Sequence, residues 1–192
     1  FNMTLLNERI NVDQDAVGNL YLDNGYLFFN ANPVIKTIED DTVAVEVRLH
    51  EGKQARLNRV IIQGNTKTNE HVIRRELYTL PGDLFNKSAI QRSQRELAQL
   101  GHFDPEQLGI EPININQSRG EVDLEYKVVE KPNDQLEISG GWGAGMFVGT
   151  IGVTFNNFSA SRFFEKEAWT PVPSGDGQTL SIRARTNGQY YK

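Results

Sequence analysis

Alternation of apolar and polar positions is the strongest pattern in the first two thirds of the chain. Residues 42–51 and 121–130 each carry an apolar residue at every second position: Val43, Val45, Val47 and Leu49, then Val122, Leu124, Tyr126 and Val128. Such alternation is typical of a strand with one buried face. Upstream of each strand lies a candidate helix that ends at a glycine, Gly25 or Gly101, and then a β-like stretch, 28–38 or 110–116. The order helix, strand, strand therefore occurs twice.

The second copy also contains a preceding strand and a further helix. Residues 57–63 favour a strand that ends at the turn pair Gly64-Asn65, and residues 66–69 offer side chains that cap a helix N-terminus. That helix puts four apolar residues on one face: Val72, Ile73, Leu77 and Leu80. A second helix runs from about Asn86 to Leu100. The pattern predicts a β-α-α-β-β unit over residues 53–132, with two helices on a three-stranded sheet.

The core of this unit is predicted from the apolar positions of all its elements. They are Leu57, Val60, Ile62, Val72, Ile73, Leu77, Ile90, Leu97, Leu100, Val122, Leu124 and Tyr126.

Residues 133–192 alternate in three further stretches. Their apolar positions are Leu136, Ile138 and Trp142, then Phe147, Ile151, Val153 and Phe155, then Leu180, Ile182 and Ala184. Each stretch is long enough for a tilted strand to cross a bilayer, and arginines opposite aliphatic residues in the third suit a barrel with a wet lumen. On this pattern alone, a soluble β-sandwich edge or meander fits about equally well. Three strands cannot close a barrel, so the membrane interpretation makes the chain a fragment.

Composition separates the same two regions and limits the partners. The chain has 192 residues and a formal net charge of -5. Acids and bases cancel within residues 133–192, so the negative charge lies in 1–132, and residues 131–134 read as a connector. The negative charge argues against a nucleic-acid partner. Because the chain has no cysteine, it has no disulfides, thiolate metal sites or cysteine nucleophiles.

No motif in the chain predicts catalysis or a metal. The glycine run 140–145 fails the G-x-G-x-x-G spacing because Met146 stands where the last glycine belongs. The three histidines share no metal-ligand spacing. Glu121, Asp123 and Glu125 alternate along one face of a strand, which predicts a solvated face rather than a catalytic pair. We therefore expect no enzyme activity, no metal and no cofactor.

Several segments of the chain each resemble part of one protein family. They also occur in the order that the family has, and this order is more specific than any single segment. Residues 60–68, followed by 73–77, resemble the start of a POTRA domain, the periplasmic module of outer-membrane assembly proteins. Residues 97–104 resemble the end of its second helix, and residues 122–131 are similar to its last strand. Residues 140–143 and 153–158 resemble the first two barrel strands of the POTRA–barrel assembly family.

The resemblance implies an α+β chain of tandem POTRA domains (β-α-α-β-β) followed by antiparallel β-strands of a truncated transmembrane barrel. Residues 1–52 are then the C-terminal part of the penultimate POTRA domain, 53–132 the last POTRA domain, and 133–192 the first barrel strands. The implied location is the bacterial outer membrane, with the POTRA domains in the periplasm. The implied function is assembly and insertion of β-barrel proteins, by client binding to POTRA strand edges and strand exchange at the barrel seam.

The resemblance also implies partners and site residues. The clients are unfolded outer-membrane β-barrel proteins, and the other partners are accessory lipoproteins and outer-membrane lipid, with no nucleic acid. Arg75 and Glu76 are candidates for accessory-partner contact, although a solvated helix surface with local ion pairs is the competing interpretation. The candidate seam pairs with client strands through nine consecutive residues: Gln135, Leu136, Glu137, Ile138, Ser139, Gly140, Gly141, Trp142 and Gly143.

Two alternatives stay open at this point. One is a related POTRA–barrel secretion pore or autotransporter assembly homologue. The other is a purely structural periplasmic scaffold module, in which residues 133–192 form a soluble sheet.

Overall fold

The computed structural model describes residues 3–11, 17–39, 42–143 and 146–189, so Gly145 of the glycine run lies outside the described residues. The elements in chain order are α1 (Met3–Asn11), α2 (Val17–Asp23), β1 (Asn30–Glu39), β2 (Thr42–His50), β3 (Arg56–Gln63), α3 (Glu70–Arg74), α4 (Lys87–Gln99), the 3-10 turn η1 (Pro105–Gln107), β4 (Gly109–Asn116), β5 (Glu121–Lys127), β6 (Gln135–Gly143), β7 (Met146–Phe158), η2 (Lys166–Ala168) and β8 (Gln178–Gln189). None of the helices that the structure describes is long and apolar enough to cross a membrane.

The chain divides into two compact units. The first unit comprises residues 1–63, 77–96 and 109–127, and the second comprises 64–76, 97–108 and 128–192. The first holds the two-stranded sheet β1-β2 and the three-stranded sheet β3-β5-β4, and the second holds the three-stranded sheet β6-β7-β8.

The predicted strand 42–51 is confirmed as β2, which pairs antiparallel with β1. Its predicted buried face is only partly buried, because Val47 and Leu49 are 42% and 51% exposed. Within the described residues this sheet has two strands, so few side chains of neighbouring strands surround these positions on the same face. The glycine that ends α2 is confirmed, since Gly25 has a φ of 87°.

The predicted β-α-α-β-β order is confirmed by the sequence of elements from β3 to β5. Within the sheet, β5 lies between β3, to which it is parallel, and β4, to which it is antiparallel. Parallel strands require a long crossover, and the chain between β3 and β5 provides it. The central strand is the most buried, with Val122, Leu124 and Tyr126 fully inaccessible.

The prediction of a solvated acidic face on β5 is wrong. Asp123 and Glu125 are 6% and 9% exposed, because the strand is flanked on both sides. Asp123 accepts hydrogen bonds from the side-chain amides of Asn58 on β3 and Asn114 on β4, each at 2.9 Å. Its pKa is lowered, chiefly by the bond from Asn114, although burial opposes the shift. Buried carboxylates with such donors stay ionised at low cost.

The predicted first helix is also shorter than its apolar pattern suggests. It ends at Arg74, and Leu80, expected on the buried face, is 58% exposed. Two backbone N–H groups that a longer helix would use donate elsewhere, Tyr78 N to Ser93 Oγ at 2.8 Å and Leu80 N to an Asp83 carboxylate oxygen at 3.0 Å. Side-chain acceptors therefore satisfy this stretch in a non-helical conformation.

Most of the predicted core is buried as expected. The buried members are Leu57, Val60, Val72, Ile73, Leu77, Leu97, Val122, Leu124 and Tyr126. Ile62, Ile90 and Leu100 are only half-buried. The aromatic core residues Phe85 and Phe103 were not among the predicted positions, since neither lies in a periodic stretch.

Leu124→Ala should lower the free energy of unfolding by on the order of 2–5 kcal/mol, because the fully buried side chain leaves a cavity in the central strand. Urea unfolding of the segment 53–132, which we expect to fold alone, measures the change. Leu80→Ala is the matched control and should change the stability by about 0.5 kcal/mol or less, because its side chain is largely exposed. Equal losses in the two variants contradict the assigned core.

Candidate functional site

The candidate seam residues lie together on one exposed strand. Residues 135–143 form β6, and all nine side chains are exposed. The strand pairs antiparallel with β7 in an uninterrupted register from Gln135↔Thr154 to Gly143↔Met146. In the described sheet, whose order is β6-β7-β8, β6 is an edge strand. Its outer row of backbone groups is therefore available to another strand.

The sheet β6-β7-β8 has one apolar and one polar face. Register places Ile138 opposite Ile151, and Ile151 opposite Ala184, so aliphatic positions of the three strands line up. The apolar face is open, since Ile138 and Ile182 are 71% and 61% exposed. The opposite face carries the following polar and charged residues: Gln135, Glu137, Ser139, Thr150, Thr154, Ser181, Arg183 and Arg185. An open sheet with one continuous apolar face requires an apolar environment on that side.

Glycines on β6 and β7 serve two different purposes. Gly140 and Gly149 are register partners, and the Phe147 ring lies within 3.1–3.7 Å of the positions that their Cβ atoms would occupy. By contrast, nothing lies within 4 Å of such a position at Gly141 or Gly143. Those two glycines therefore add no cross-strand side-chain contacts of their own, which weakens the pairing of the edge strand at these positions.

Gly152 on β7 lets a side chain of β6 contact a side chain of β8. Glu137 on β6 and Arg183 on β8 form an ion pair of 3.2 Å between Oε2 and Nη2, and both are register partners of Gly152 on β7. Because Gly152 has no side chain, the two long side chains meet over it. Both are more than half exposed, so the pair contributes little to stability.

The segment that leads into β6 is held by His102 and its neighbours. Lys131 N donates to the His102 carbonyl at 3.0 Å, and the Asn133 amide lies 2.8 Å from His102 Nδ1. Asn156 on β7 donates to the Asn133 carbonyl. Burial lowers the pKa of His102, and the positive charge of Arg75 lowers it further, against the effect of Glu130. The neutral imidazole therefore accepts from Asn133 at neutral pH.

Glu130, the residue before this segment, organises the loop that precedes α3. Its carboxylate accepts from Thr66 Oγ1 at 2.6 Å, Thr68 N at 2.6 Å and Lys67 N at 2.9 Å. Burial raises the pKa of Glu130, but the hydrogen bonds outweigh burial and leave it lowered. The same loop begins at Gly64, which has a φ of 95° and packs against the Val128 carbonyl.

The connection between β7 and β8, residues 159–177, is tied to the first turn of α3 through Asp176. Its carboxylate accepts from Ser159 Oγ at 2.5 Å, Ser161 Oγ at 2.6 Å and Asn69 Nδ2 at 2.7 Å. Burial raises its pKa, but these bonds and nearby His71 outweigh burial and leave it lowered. Residues 66–69 are predicted to offer side chains that cap α3, but the N-cap residue Asn69 makes no side-chain capping bond. Its side chain donates to Asp176 instead, and its backbone N–H donates to Gly175 O at 2.8 Å.

Arg75 and Glu76, the candidate contacts for an accessory partner, follow α3 directly. They form an ion pair with each other, with 3.0 Å between Arg75 Nε and Glu76 Oε1. Their side chains are 50% and 29% exposed. Arg75 also lies against Gly177, whose Cβ position is 3.4 Å from the guanidinium. Their role in partner contact stays a prediction.

A cleft of about 260 Å³ lies in the second unit, between residues 66–68, the segment 130–134 and the β7–β8 connection. Glu130, Lys67 and Lys131 are among the residues that line it. Within the described residues, no three histidine, aspartate or glutamate side chains are arranged to hold a metal ion. The candidate site therefore consists of the exposed edge of β6 and the hydrogen-bonded segments that hold its first residues. Sequence reasoning missed the roles of Asp176, Asn133 and Glu130. Asn133 lies in the predicted connector and Glu130 at the end of a predicted strand, and neither position indicates a hydrogen-bond partner.

Known proteins resemble this chain along most of its length. Residues 55–131 match the family model described as POTRA, surface antigen variable number repeat. The outer membrane protein assembly factor BamA of Neorickettsia risticii is 32% identical over 136 residues, which are 70% of this chain and 18% of that protein. BamA of Nitratidesulfovibrio vulgaris is 28% identical over 180 residues, which are 92% of this chain and 20% of that protein. The chain thus spans a small part of the length of these relatives.

The fold resembles a solved structure as well. The crystal structure of BamA from Haemophilus ducreyi lacking POTRA domains 1-3 matches with a TM-score of 0.70 at 21% identity, over 97% of this chain and 32% of that one. At this identity the likeness concerns the fold alone. The predicted α+β class, POTRA modules followed by barrel strands, is confirmed. The bounds 1–52, 53–132 and 133–192 stay a prediction.

Gly64→Ala should destabilise the segment 53–132 much more than Gly82→Ala, although both glycines have a φ of 95°. A Cβ at residue 64 would lie 1.9 Å from the Val128 carbonyl oxygen, whereas one at residue 82 meets nothing within 4 Å. The control should therefore cost only about 1–2 kcal/mol for its left-handed backbone. Urea unfolding of both variants measures the difference, and similar losses contradict the close approach of residues 64 and 128.

Acid should weaken the Glu130 contacts. The pKa of folded Glu130 lies below the ordinary value of 4.5, so its contribution is fully present above that value and is lost as the pH falls through the folded pKa. Glu130→Gln should cost about 1.5–3 kcal/mol at neutral pH and flatten the acid side of the stability profile. Urea unfolding of the segment 53–132 at a series of pH values measures both effects. Exposed Glu106→Gln is the control, and a profile unchanged by Glu130→Gln is the contrary result.

Proposed function

We propose that this chain, which belongs to the BamA-type POTRA-containing proteins, takes part in the assembly and insertion of β-barrel proteins into the bacterial outer membrane. Its strands β6, β7 and β8 lie in that membrane, and its POTRA residues lie in the periplasm. The single observation that carries the proposal is β6, an exposed strand with a partner on one side in the described sheet and an open apolar face beside it.

The free edge of β6 provides the physical means of insertion. In lipid, an unpaired backbone N–H or C=O costs several kcal/mol by order of magnitude, because no water replaces the missing partner. An incoming client strand that pairs with β6 satisfies both edges at once, by main-chain bonds that make little demand on client sequence. Exchange of one strand partner for another requires no chemical step, so we propose none.

Weak pairing makes such exchange feasible. Gly141 and Gly143 contribute no side-chain contacts, whereas the beginning of β6 is fixed by the segment around Asn133. The strand therefore opens most easily at its glycine end while its other end stays in place. This combination suits a seam that opens and recloses.

Before insertion, clients bind as added strands at the outer strands of the POTRA sheet, β3 and β4, through the same main-chain bonding. Accessory lipoproteins contact the chain at Arg75 and Glu76, where half of the Arg75 side chain is accessible. Outer-membrane lipid covers the apolar face of the sheet β6-β7-β8. Nucleic acid is not a partner of this negatively charged chain.

A disulfide that locks the seam should stop client assembly. In the full-length protein, a cysteine replacing Gln135 is crosslinked to a cysteine on the strand that closes the barrel against β6. Exchange replaces the closing strand along the whole length of β6, so a bond even at the held end of β6 should prevent it. Outer-membrane insertion of client barrels should therefore fall when the crosslink forms and recover when it is reduced. Insertion of a reporter barrel into membranes measures the effect.

The matched control joins two strands that remain paired. Gln135→Cys with Thr154→Cys crosslinks register partners on β6 and β7, and it should leave insertion unchanged. Glu137→Gln should also have little effect, because its exposed ion pair contributes little. Equal insertion with the seam crosslink formed and reduced rules out strand exchange at the seam.

A further inference from the structure

Three aromatic rings are exposed together on the connection between β7 and β8. Phe163, Phe164 and Trp169, here called the aromatic cluster, are 49%, 94% and 45% exposed. The Phe163 ring lies 5.5 Å from that of Phe164 and 5.4 Å from that of Trp169, both in edge-on contact. The Trp169 indole N–H donates to the Phe163 carbonyl at 3.1 Å. The indole donor is thus satisfied within the connection, and only apolar ring surface faces outward.

The connection that carries the rings is an ordered loop with a buried base, which keeps the rings exposed. Its base is buried at Ser159 and Ala168, which are 0% and 4% exposed. Backbone bonds close it on itself, from Ser159 N to Pro173 O at 2.8 Å and from Ser174 N to Ala168 O at 3.1 Å. Rings held in water by an ordered loop cost free energy unless another surface covers them.

The position of the aromatic cluster at one end of the strands indicates which surface covers its rings. A second aromatic contact, Trp142 with Phe147 at 6.4 Å between ring centroids, lies at the opposite end of the hairpin β6–β7. The strand from Phe147 to Phe158 spans about 36 Å at the usual rise. A tilt of about 40° reduces this to about 28 Å along the membrane normal, close to the apolar band of outer-membrane barrels. Aromatic groups therefore lie at both ends of the strands that carry the apolar face, as they do at the two membrane interfaces.

Charge next to the cluster is balanced. Arg162 is paired with Glu165 at 2.7 Å, and Lys166 is followed by Glu167. Balanced charge favours neither an anionic surface nor an acidic protein, so the rings themselves must provide the affinity. The headgroup region of a phospholipid leaflet is the surface that suits aromatic rings without a charge requirement.

We propose that the β7–β8 connection is a membrane-interface anchor, with Phe163, Phe164 and Trp169 inserted among phospholipid headgroups of the periplasmic leaflet. The inference rests on the proposed function, since it needs β6, β7 and β8 to cross the membrane. It explains a connection that is long for the periplasmic side of a barrel, where turns are short. The bond from Asn69 to Asp176 then links the anchored connection to α3.

Spin labelling of the full-length protein in phosphatidylcholine membranes tests the anchor. Single cysteines replace Phe164, Ile151 on the apolar face and Glu106 in η1, after replacement of any cysteine elsewhere in the protein. This segment has none of its own. Collision of each label with oxygen, which concentrates in lipid, is compared with collision with a water-soluble nickel chelate. The label at 164 should shift towards the oxygen-rich value of 151 and away from the water-like value of 106.

Each outcome has one meaning. A lipid-like label at 151 with a water-like label at 164 overturns the anchor and leaves the membrane assignment intact. Water-like labels at both positions overturn the membrane assignment and, with it, the anchor. A label at 164 shielded from both collision partners shows that protein covers the cluster, which also overturns the anchor.

Discussion

The second unit depends on hydrogen bonds to two carboxylates near the beginning of α3. These carboxylates accept from both backbone and side-chain donors. Glu130 binds the amides of Lys67 and Thr68 from one direction, and Asp176 binds the side chain of Asn69 from another. Both groups are partly removed from water, and their pKa values are nevertheless lowered. The donors thus more than offset desolvation, which makes each contact conditional on the ionised form.

This arrangement fixes one end of the sheet β6-β7-β8, whereas glycines reduce the side-chain contacts of β6 near its other end. Around residues 130–134, hydrogen bonds from Lys131 and Asn156 hold the chain before β6 begins. At the far end, Gly141 and Gly143 contribute neither side-chain contacts nor stiffness. A strand whose first residues are held by hydrogen bonds and whose last residues pair weakly can separate from a partner at that end while it stays attached at the other. That gradient of stability, rather than any reactive group, is the property that a strand-exchange seam requires.

The same sheet illustrates how glycine positions depend on neighbours. Gly149 makes room for the Phe147 ring, and Gly152 makes room for the ion pair between Glu137 and Arg183. In the sequence all these glycines look alike, as interruptions of an alternating pattern. Only the register of three strands distinguishes the glycines that accommodate a side chain from those that leave the edge weak.

Period-two alternation, glycine stops and turn residues are local signals, so the sequence alone determined the strands, the order of elements and the α+β class, including the strand at 135–143. It determined neither the burial of Asp123 nor the end of α3. The first depends on β5 lying between two strands, and the second on Ser93 and Asp83 accepting backbone N–H groups. The partners of Glu130 and Asp176 likewise come from distant positions in the chain. Tertiary structure decided these features, because a hydrogen-bond partner that is distant in the sequence produces no periodic pattern of residues near the group it binds.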